Sequence, residues 1–514
     1  MTFTSRRIRE ERPPSRWGEA AKTAGPIAMK AGALLVALYG KWKTRHDEEA
    51  THHRRVVLLK RIAIVLFSIL LGLILLAGTV KALVAMRVLT LQTFFSVTGT
   101  DLPVDEHGFT NLLLLGAGDK DHDGIDLTDA IMVVSLDPQK TRSAVMLSLP
   151  RDLYALKTEK MGAGRVNELY RNYKGKLQVR EKLPAAEASE ESMKQLGQEL
   201  GTLLGITIHR VAKVDFTAFV QVVDELGGVD IQVPYDIVDP EYPGPDYTFA
   251  PFEIKQGLQH LDGETALKYA RSRHTTSDFG RAARQQQLLT ALAEKARDSG
   301  IATSPGKITD LLTILSDHVE TTMTVREMLG AGGLADRIDR ANVISMQLND
   351  QTGVGTPFVS AGGFLYAPPR DQFAGASVLL PVSIPEFPVT WKQIQAFVRM
   401  LTQHRRAYLT APRLHILNAG AKSGLGRSLG NELLRYGFNV EEIDNAFEDR
   451  KTKLPSSVVI AQTPADEELA KFFASLLRLK TGPLPAGVPV EKQGQITILL
   501  GEEYQYIPLQ GLLP

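Results

Sequence analysis

Four arginines stand close together in the segment 267–287 of this chain, which reads LKYARSRHTTSDFGRAARQQQ: Arg271, Arg273, Arg281 and Arg284. If residues 270–274 are extended, the first two arginines point to the same side. On the helix predicted to open at Gly280, the last two share a face with Gln285. A guanidinium group binds phosphate oxygens in pairs, so several in one pocket predict a ligand with more than one phosphate. The alternative is a solvated helix face with surface ion pairs.

A second group of charged residues follows predicted strands. Arg151 and Asp152 come directly after the strand SAVMLSL, and Asp119 and Asp129 lie at the ends of neighbouring strand segments. Strand ends that feed loops are common places for sites to assemble. Two carboxylates beside a pyrophosphate suit Mg²⁺, which prefers oxygen ligands and keeps several waters. The alternative for any one aspartate is a turn residue or a helix cap.

The composition excludes several classes of protein. The chain has 514 residues, of which 44% are hydrophobic and 23% charged, with ordinary numbers of Gly and Pro. A disordered, collagenous or coiled-coil chain is therefore excluded, and the length predicts about three folded units. The sequence contains no Cys. This absence excludes disulfides, thiolate metal sites, iron–sulfur ligation and a cysteine nucleophile.

The N-terminal region predicts a membrane anchor. Residues 62–80 include no charged residue, and a helix of that length rises about 28 Å, close to the thickness of the hydrocarbon core. Residues 1–61 carry 14 Lys and Arg against six Asp and Glu. By the positive-inside rule this arm is cytoplasmic and the bulk of the chain is extracytoplasmic. Because the membrane explains the basic charge of residues 1–61, no nucleic-acid partner is expected. The alternative interpretation of residues 62–80 is a buried helix of a soluble protein.

The elements that must position the charged residues alternate in type. This alternation predicts an α/β fold with a mixed sheet, followed by a small C-terminal α/β domain after Pro412. A Gly- and Pro-rich stretch at 353–388 is predicted to hold the boundary. The main predicted strands are Phe109–Leu115, Ala130–Leu136, Ser143–Leu149, Val211–Val214 and Val229–Val233, and the main predicted helices are Ser192–Leu204, Phe216–Leu226, Gly263–Tyr269 and Gly280–Arg297.

Six motifs in order resemble the LytR-CpsA-Psr family of cell-wall enzymes. They are LLGAGD, the LTD of residues 127–129, SLPRD, DELGGVD, LDGETALKYARSRH and DFGRAARQQ, and they cover about residues 109–297. The family's K-I-N-x-A segment reads RVNEL at 165–169. Residues 412–446 are similar to the small C-terminal domain that often follows this catalytic domain.

The resemblance implies an α-β-α catalytic domain and an Mg²⁺-dependent phosphotransferase. Such an enzyme moves a glycan polymer from an undecaprenyl-pyrophosphate carrier to peptidoglycan through a phosphodiester bond. The implied pyrophosphate ligands are Arg151, Arg271, Arg273, Arg281 and Gln285, and Arg284 is added to the substrate-binding set from its spacing. Asp119 and Asp129 would hold Mg²⁺, and Asp278 would orient Arg271 or Arg281 or help to deprotonate the acceptor hydroxyl.

The implied organisation has six parts. They are a basic cytoplasmic arm (1–61), a transmembrane helix (62–80), a stalk (81–105), the catalytic domain (106–350), a linker and connecting segment (351–411) and the LytR-type C-terminal domain (412–514).

Other interpretations remain open at the level of sequence. The same residues suit a pyrophosphatase, in which water replaces the acceptor hydroxyl, or a cell-envelope scaffold or regulator that only binds an anionic polyprenyl lipid. His274 is a secondary candidate for a base. The glycines at 424, 426 and 430 mimic a dinucleotide fingerprint, but their spacing favours turn and packing roles. Apolar residues that suit either a lipid tunnel or, more often, a core are Val211, Phe216, Phe219, Val220, Val223, Ile231 and Val233.

Overall fold

The computed structural model describes most of the chain beyond residue 101. The described residues are 37–41, 102–119, 124–244, 248–273, 278–299, 318–350, 362–382, 389–449 and 451–513. Two compact units are distinguished, residues 1–88 and 89–514. In the first unit, residues 37–41 are helical. The predicted membrane helix at 62–80 lies outside the described residues, and among those that are described no helix has the length and apolar character needed to cross a bilayer.

The second unit is built from short strands and helices in alternation. Its strands are β1 (Thr110–Ala117), β2 (Thr128–Asp137), β3 (Ser143–Leu149), β4 (Tyr154–Ala155), β5 (Gly164–Arg165), β6 (Arg210–Val214), β7 (Val229–Val233), β8 (Ile237–Asp239), β9 (Phe252–Ile254), β10 (Gly257–Leu261), β11 (Val319–Thr321), β12 (Val343–Gln347), β13 (Leu365–Tyr366), β14 (Leu380–Pro381), β15 (Arg413–Asn418), β16 (Asn439–Asn445), β17 (Val458–Ala461), β18 (Lys480–Thr481) and β19 (Ile496–Leu500). Its helices are α1 (Val166–Arg180), α2 (Ala185–Leu204), α3 (Phe216–Glu225), α4 (Gly263–Arg271), α5 (Asp278–Asp298), α6 (Val325–Asp336), α7 (Lys392–Gln403), α8 (Arg405–Leu409), α9 (Leu425–Arg435), α10 (Glu467–Leu477) and α11 (Leu509–Leu512).

A six-stranded mixed sheet, in the order β11-β6-β1-β2-β3-β12, lies at the centre of the described residues between 102 and 350, which we call the central-sheet region. β2 is antiparallel to β1 and β3, whereas β6 runs parallel to β1 and β12 parallel to β3. Side chains of a strand alternate between the two faces of a sheet. Accordingly, Leu113 and Leu115 pack with α1 and α2, while Leu112 and Leu114 pack with residues of α5 and α6 on the opposite face. The predicted mixed α/β fold with helices on both faces is confirmed.

A second, smaller group of elements packs around its own hydrophobic cluster. The antiparallel strand pairs β7–β10 and β8–β9 pack with α3, α4 and α5 around this cluster, which includes Ile231, Phe252 and Tyr269. Asp215 begins α3 by accepting a hydrogen bond from the amide of Ala218, and Asp262 begins α4 in the same way from Thr265. These side-chain caps satisfy amides that a helix leaves unpaired.

The C-terminal region has its own five-stranded sheet, in the order β16-β15-β19-β17-β18. Gly424 precedes α9 with a positive φ of 90°. A Cβ atom placed on Gly430 would lie 2.4 Å from the Cδ1 atom of Ile443, so a larger residue in α9 would require this side chain of β16 to shift. The turn and packing roles predicted for these glycines are confirmed.

The segment predicted to be a linker is folded where the structure describes it. Residues 362–382 form the β13–β14 hairpin, and residues 392–409 form α7 and α8. The ring of Phe364 stacks on Phe397 of α7 at 4.4 Å, and both rings meet the edge of Tyr436. All three side chains are buried. The central-sheet region, α7 and the C-terminal region therefore share one continuous hydrophobic core.

Candidate functional site

The register of the central sheet brings its charged strand ends to one edge. Gly116 pairs with Ala130 of β2 and with Val214 of β6, and Ile131 pairs with Leu149 of β3. The end of β1, the start of β2 and the ends of β3 and β6 therefore lie side by side. This edge carries Asp119, Asp129, Arg151 and Asp215, and so brings together residues that are far apart in sequence.

Asp129 is the centre of the polar cluster at this edge. Its carboxylate accepts hydrogen bonds from Arg151 Nη1 at 3.2 Å and from Asn167 Nδ2 at 3.0 Å. Arg281 Nη2 donates to the backbone carbonyl of Asp129 at 3.3 Å, and Arg273 Nη2 lies 4.0 Å from the Asp129 carboxylate. Three of the predicted arginines thus surround one aspartate from three different segments of the chain.

A buried ion-pair network fixes the loop that leads into Asp129. Asp126 has a positive φ of 62°, which an L-residue adopts at a cost. Its carboxylate accepts from Lys174 of α1 and from Lys213 of β6, each at 2.8 Å. Lys213 also lies 2.7 Å from Glu320 of β11. These pairs lower the pKa of Asp126 despite its burial and hold the start of β2 against two other elements.

Arg271 lies at the last position of α4 rather than in an extended segment. The helix continues to Arg271 and is followed by Ser272, so the predicted extended geometry at residues 270–271 is wrong. The guanidinium group lies 4.2 Å from the ring centre of Phe216 and 5.6 Å from that of Tyr242, whose hydroxyl accepts from Nη1 at 3.4 Å. Aromatic faces favour a cation and restrict its motion.

Arg273 is positioned through the backbone by a residue that the sequence analysis did not single out. Asp239, a buried residue at the end of β8, accepts hydrogen bonds from the amide of Arg273 and the hydroxyl of Ser272, both at 2.9 Å. The pKa of Arg273 is lowered because partial burial and the nearby charge of Arg151 both disfavour a second cation. Such crowding of like charges is relieved when an anion binds between them.

Arg281 and Gln285 face the cluster, whereas Arg284 does not. Arg281 and Gln285 line the same cavity as Arg271 and Arg273. Arg284 is only 4% exposed, and it donates from Nε to the carbonyl of Tyr269 at 2.8 Å and from Nη2 to the carbonyl of Ser272. Its predicted role as a substrate ligand is corrected here: the guanidinium group ties α5 to the end of α4.

Two further carboxylates stand among the arginines. Asp278 lies 3.5 Å from Arg151, 3.6 Å from Arg273 and 3.7 Å from Arg281, so it is positioned to orient these three guanidinium groups. Asp152 lies 3.8 Å from Arg151. Burial raises the pKa of Asp152 even though arginines oppose that shift.

Asp119 lies next to α3, not within the arginine cluster. Its Oδ1 accepts a hydrogen bond from the amide of Thr217 at 3.0 Å, in the first turn of that helix. Within the part of the chain that the structure describes, no group of three or more His, Asp or Glu side chains has the arrangement of a metal site. Asp119 and Asp129 supply two carboxylates. They suit an Mg²⁺ ion whose other ligands are water and phosphate oxygens.

A cavity of about 940 Å³ opens beside the arginines. Its walls beyond the charged end are mostly apolar and include Phe219, Val222, Leu267, Leu289 and Leu292. Of the residues considered for a lipid tunnel, Phe216 and Phe219 line the cavity. Val211, Val223, Ile231 and Val233 are instead buried in core clusters, as the core interpretation predicts. His274 lies outside the described residues.

Three contributors to the cluster were missed from sequence. They are Asn167, Asp239 and Tyr242, which contact Asp129, Arg273 and Arg271 respectively. The RVNEL segment, which departs from the family's pattern but keeps its asparagine, was the available signal for Asn167. Asp239 and Tyr242 lie in a Pro- and Tyr-rich stretch whose folding into the β8–β9 pair had no periodic signal in sequence.

Comparisons with known proteins agree with the motifs. The profile of the LytR_cpsA_psr family matches residues 91–368, more than half of the chain. A second profile, described as LytR cell envelope-related transcriptional attenuator, matches residues 411–504.

Similar proteins and structures carry related names. The chain is 26% identical over 435 residues to the cell wall biosynthesis protein LcpA of Corynebacterium glutamicum, covering 79% of this chain and 76% of LcpA. It is 31% identical over 230 residues to the polyisoprenyl-teichoic acid–peptidoglycan teichoic acid transferase TagV of Bacillus subtilis, covering 43% of this chain and 52% of TagV. It therefore spans about half the length of TagV. The crystal structure of B. subtilis TagV matches with a TM-score of 0.40 at 24% identity, over 57% of this chain and 97% of that chain.

Proposed function

The chain belongs to the LytR-CpsA-Psr family, and we propose that it is a phosphotransferase that attaches a glycan polymer to peptidoglycan. The donor is the polymer carried on undecaprenyl pyrophosphate, and the product is a phosphodiester. The protein acts outside the cytoplasm and is anchored by the helix at residues 62–80. Its relative TagV is named for the same class of transfer, from a polyisoprenyl-linked teichoic acid to peptidoglycan.

One observation carries the proposal. Arg151, Arg271, Arg273 and Arg281 converge from three segments on the charged end of a cavity of about 940 Å³ whose other walls are mostly apolar. A lipid pyrophosphate has the complementary construction, because its two phosphates are anionic and its chain is apolar. Guanidinium groups bind phosphate oxygens in pairs, and the apolar walls favour burial of the chain.

The proposed step is an exchange of bonds at one phosphorus. The oxygen of an acceptor hydroxyl bonds to the phosphorus that carries the glycan, the bond from that phosphorus to the bridging oxygen breaks, and the lipid monophosphate leaves. The hydroxyl proton passes to a carboxylate of the cluster, for which Asp278 is the candidate, because Asp129 is assigned to Mg²⁺ in this proposal and Asp152 is less exposed, at 19% against 36%. The arginines stabilise the charge that develops on the leaving phosphate. Most of the remaining rate acceleration comes from holding the acceptor hydroxyl and the phosphorus in position.

Mg²⁺ belongs to this proposal as the cofactor. Asp129 and Asp119 would hold it with phosphate oxygens, and when bound it would neutralise charge on the leaving group. The carboxylate of Asp129 also accepts hydrogen bonds from Arg151 and Asn167, so it orients Arg151, which follows the end of β3.

The test is transfer of labelled glycan by the full-length chain in detergent. The reaction contains a polyprenyl-pyrophosphate donor and purified peptidoglycan, with Mg²⁺ or with a chelator, and is repeated with Asp129→Asn. Labelled peptidoglycan that depends on Mg²⁺ and is lost in the variant is the expected result. Release of lipid phosphate without labelled peptidoglycan would instead identify a pyrophosphatase, and binding of the donor without turnover would identify a scaffold or regulator.

A further inference from the structure

A second cavity, of about 620 Å³, lies where the central-sheet and C-terminal regions meet. We call it the junction cavity. It shares no lining residue with the cavity beside the arginines, which we call the arginine cavity. Its walls come from four places in the chain: the residues before β1, the β2–β3 turn, the α7–α8 corner and the start of α10. Its lining residues include His107, Lys140, Gln403, Arg406, Glu468 and Phe472.

A buried arginine makes the wall at the α7–α8 corner rigid. Arg405 is 1% exposed and donates to the carbonyls of Thr402, Ser135 and Ser143 at 2.8, 2.9 and 3.1 Å. Its guanidinium group lies 4.3 Å from the ring centre of Phe109. These contacts join α8 to β2 and β3. The wall is therefore preformed, and Arg405 is committed to structure and is not a ligand group.

The groups that remain for a ligand carry both signs of charge. Lys140 and Arg406 are exposed cations that line the cavity. Lys140 Nζ donates to the carbonyl of His107 at 3.0 Å, and Arg406 lies 3.8 Å from the carboxylate of Glu468. Exposed pairs of this kind contribute little energy, so a ligand can replace either partner at low cost.

Hydroxyl, amide and aromatic groups complete the cavity. Gln403 Nε2 and His107 Nε2 are 2.8 Å apart, and Thr141 and Thr410 add hydroxyl groups nearby. The half-buried ring of Phe472 presents an apolar face next to Leu469. Amide and hydroxyl groups around an aromatic face suit a sugar, whose hydroxyls need hydrogen-bond partners and whose ring has an apolar side. The cavity volume lies within the range of small-molecule sites, about 300–1,000 Å³.

We propose that the junction cavity binds a peptide-bearing amino sugar of the cell wall. Lys140 and Arg406 take carboxylates of the peptide, Glu468 takes its amine, and Phe472 packs against the sugar. A glycerol-phosphate polymer fits less well, because its repeating phosphates offer no cation to pair with Glu468 and no sugar ring to pack against Phe472. The site would hold a peptidoglycan strand at a distance from the transfer reaction. That this strand is the acceptor of the glycan rests on the proposed function.

The test is calorimetric binding of a soluble disaccharide tetrapeptide to the full-length chain. The double variant Lys140→Gln/Arg406→Gln should weaken binding at least tenfold. Lys471→Gln/Arg413→Gln removes two exposed cations outside the cavity and should bind like the parent chain. The disaccharide without peptide should bind at least tenfold more weakly than the tetrapeptide form.

Three results would overturn the proposal. They are equal affinity in the Lys140/Arg406 double variant, equal loss in the control variant, and stronger binding of a glycerol-phosphate polymer than of the disaccharide tetrapeptide. Arg271→Ala separates this proposal from the proposed function, because that variant loses glycan transfer if the transferase assignment is correct and keeps disaccharide-tetrapeptide binding if the junction cavity is the site. A chain that binds the tetrapeptide but transfers no glycan supports the cavity and rejects the transferase.

Discussion

Arg271 and Arg284 have the same side chain but different surroundings, and this difference gives a sharp prediction. Arg271 lines the arginine cavity, with its guanidinium group beside Phe216 and Tyr242. Arg284 is 4% exposed and donates to the carbonyls of Tyr269 and Ser272. We expect Arg271→Ala to lose catalysis while keeping the fold, and Arg284→Ala to lose stability.

The magnitudes follow from these contacts. Removal of one preorganised donor to a developing charge lowers kcat by about 10²–10³, so Arg271→Ala should lose about 2.7–4 kcal/mol of transition-state stabilisation. Its cost in folding is limited to the aromatic contacts, about 0.5–2 kcal/mol. Arg284→Ala removes two hydrogen bonds from a charged donor, each worth about 1.5–3 kcal/mol, so the free energy of unfolding should fall by about 3–6 kcal/mol.

Two measurements on the same preparations separate these effects. Residues 89–514 form one compact unit that contains a single tryptophan, Trp391, partly buried against the core. Its fluorescence in a urea titration reports the free energy of unfolding of each variant. Release of lipid phosphate from a polyprenyl-pyrophosphate donor reports kcat and KM.

The opposite pattern would refute the reasoning. If Arg284→Ala unfolds like the parent protein but loses activity, Arg284 contacts the substrate and the direction of its side chain is misassigned. If Arg271→Ala is as unstable as Arg284→Ala, its loss of activity says nothing about catalysis. Arg271→Lys is the conservative control, since it keeps the charge and loses the planar fork that binds two oxygens at once.

Three further changes have defined outcomes. Arg405→Met removes the buried hydrogen bonds that Arg405 donates to the carbonyls of Ser135, Ser143 and Thr402, and should lower the free energy of unfolding by about 2–6 kcal/mol in a urea titration. Asp126→Asn removes the carboxylate that Lys174 and Lys213 share, and should lower the free energy of unfolding by about 1–3 kcal/mol. The value of kcat should also fall, because the loop before β2 is held less firmly. Burial raises the pKa of Glu432 above 4.5, so its contribution to stability is fully present below pH 4.5 and is lost as pH rises through the folded-state pKa. In Glu432→Gln the free energy of unfolding should therefore depend less on pH above pH 4.5, as measured by urea titrations from pH 4 to 8.

Strand positions could be predicted closely because their signals are local. The strand predicted at Val229–Val233 matches the structure at both ends, since Gly228 and Pro234 flank it and apolar residues alternate within it. α1 was not predicted, although its buried Leu169, Tyr173 and Leu177 recur at helical spacing. Its many charged residues masked that pattern.

The site could be predicted by residue type but not by direction. The spacing of Arg281, Arg284 and Gln285 predicts that all three share one helix face. At about 100° per residue, however, Arg284 lies about 60° to one side of Arg281 and Gln285 about 40° to the other. Only the packing of α5 against α4 decides that Arg284 turns toward α4 and Gln285 toward the cavity.

The shared core also determines how the two regions can be studied. Phe364, Phe397 and Tyr436 belong to the segment 362–382, to α7 and to the C-terminal region, and their rings are in contact. Removing residues 412–514 would expose the first two rings to water, and each buried aromatic side chain contributes about 1.5–3 kcal/mol. Loss of activity in such a truncation would therefore report a damaged core. The same core holds the walls of the junction cavity in place, so point variants at its exposed cations are the experiment that tests the cavity without disturbing the fold.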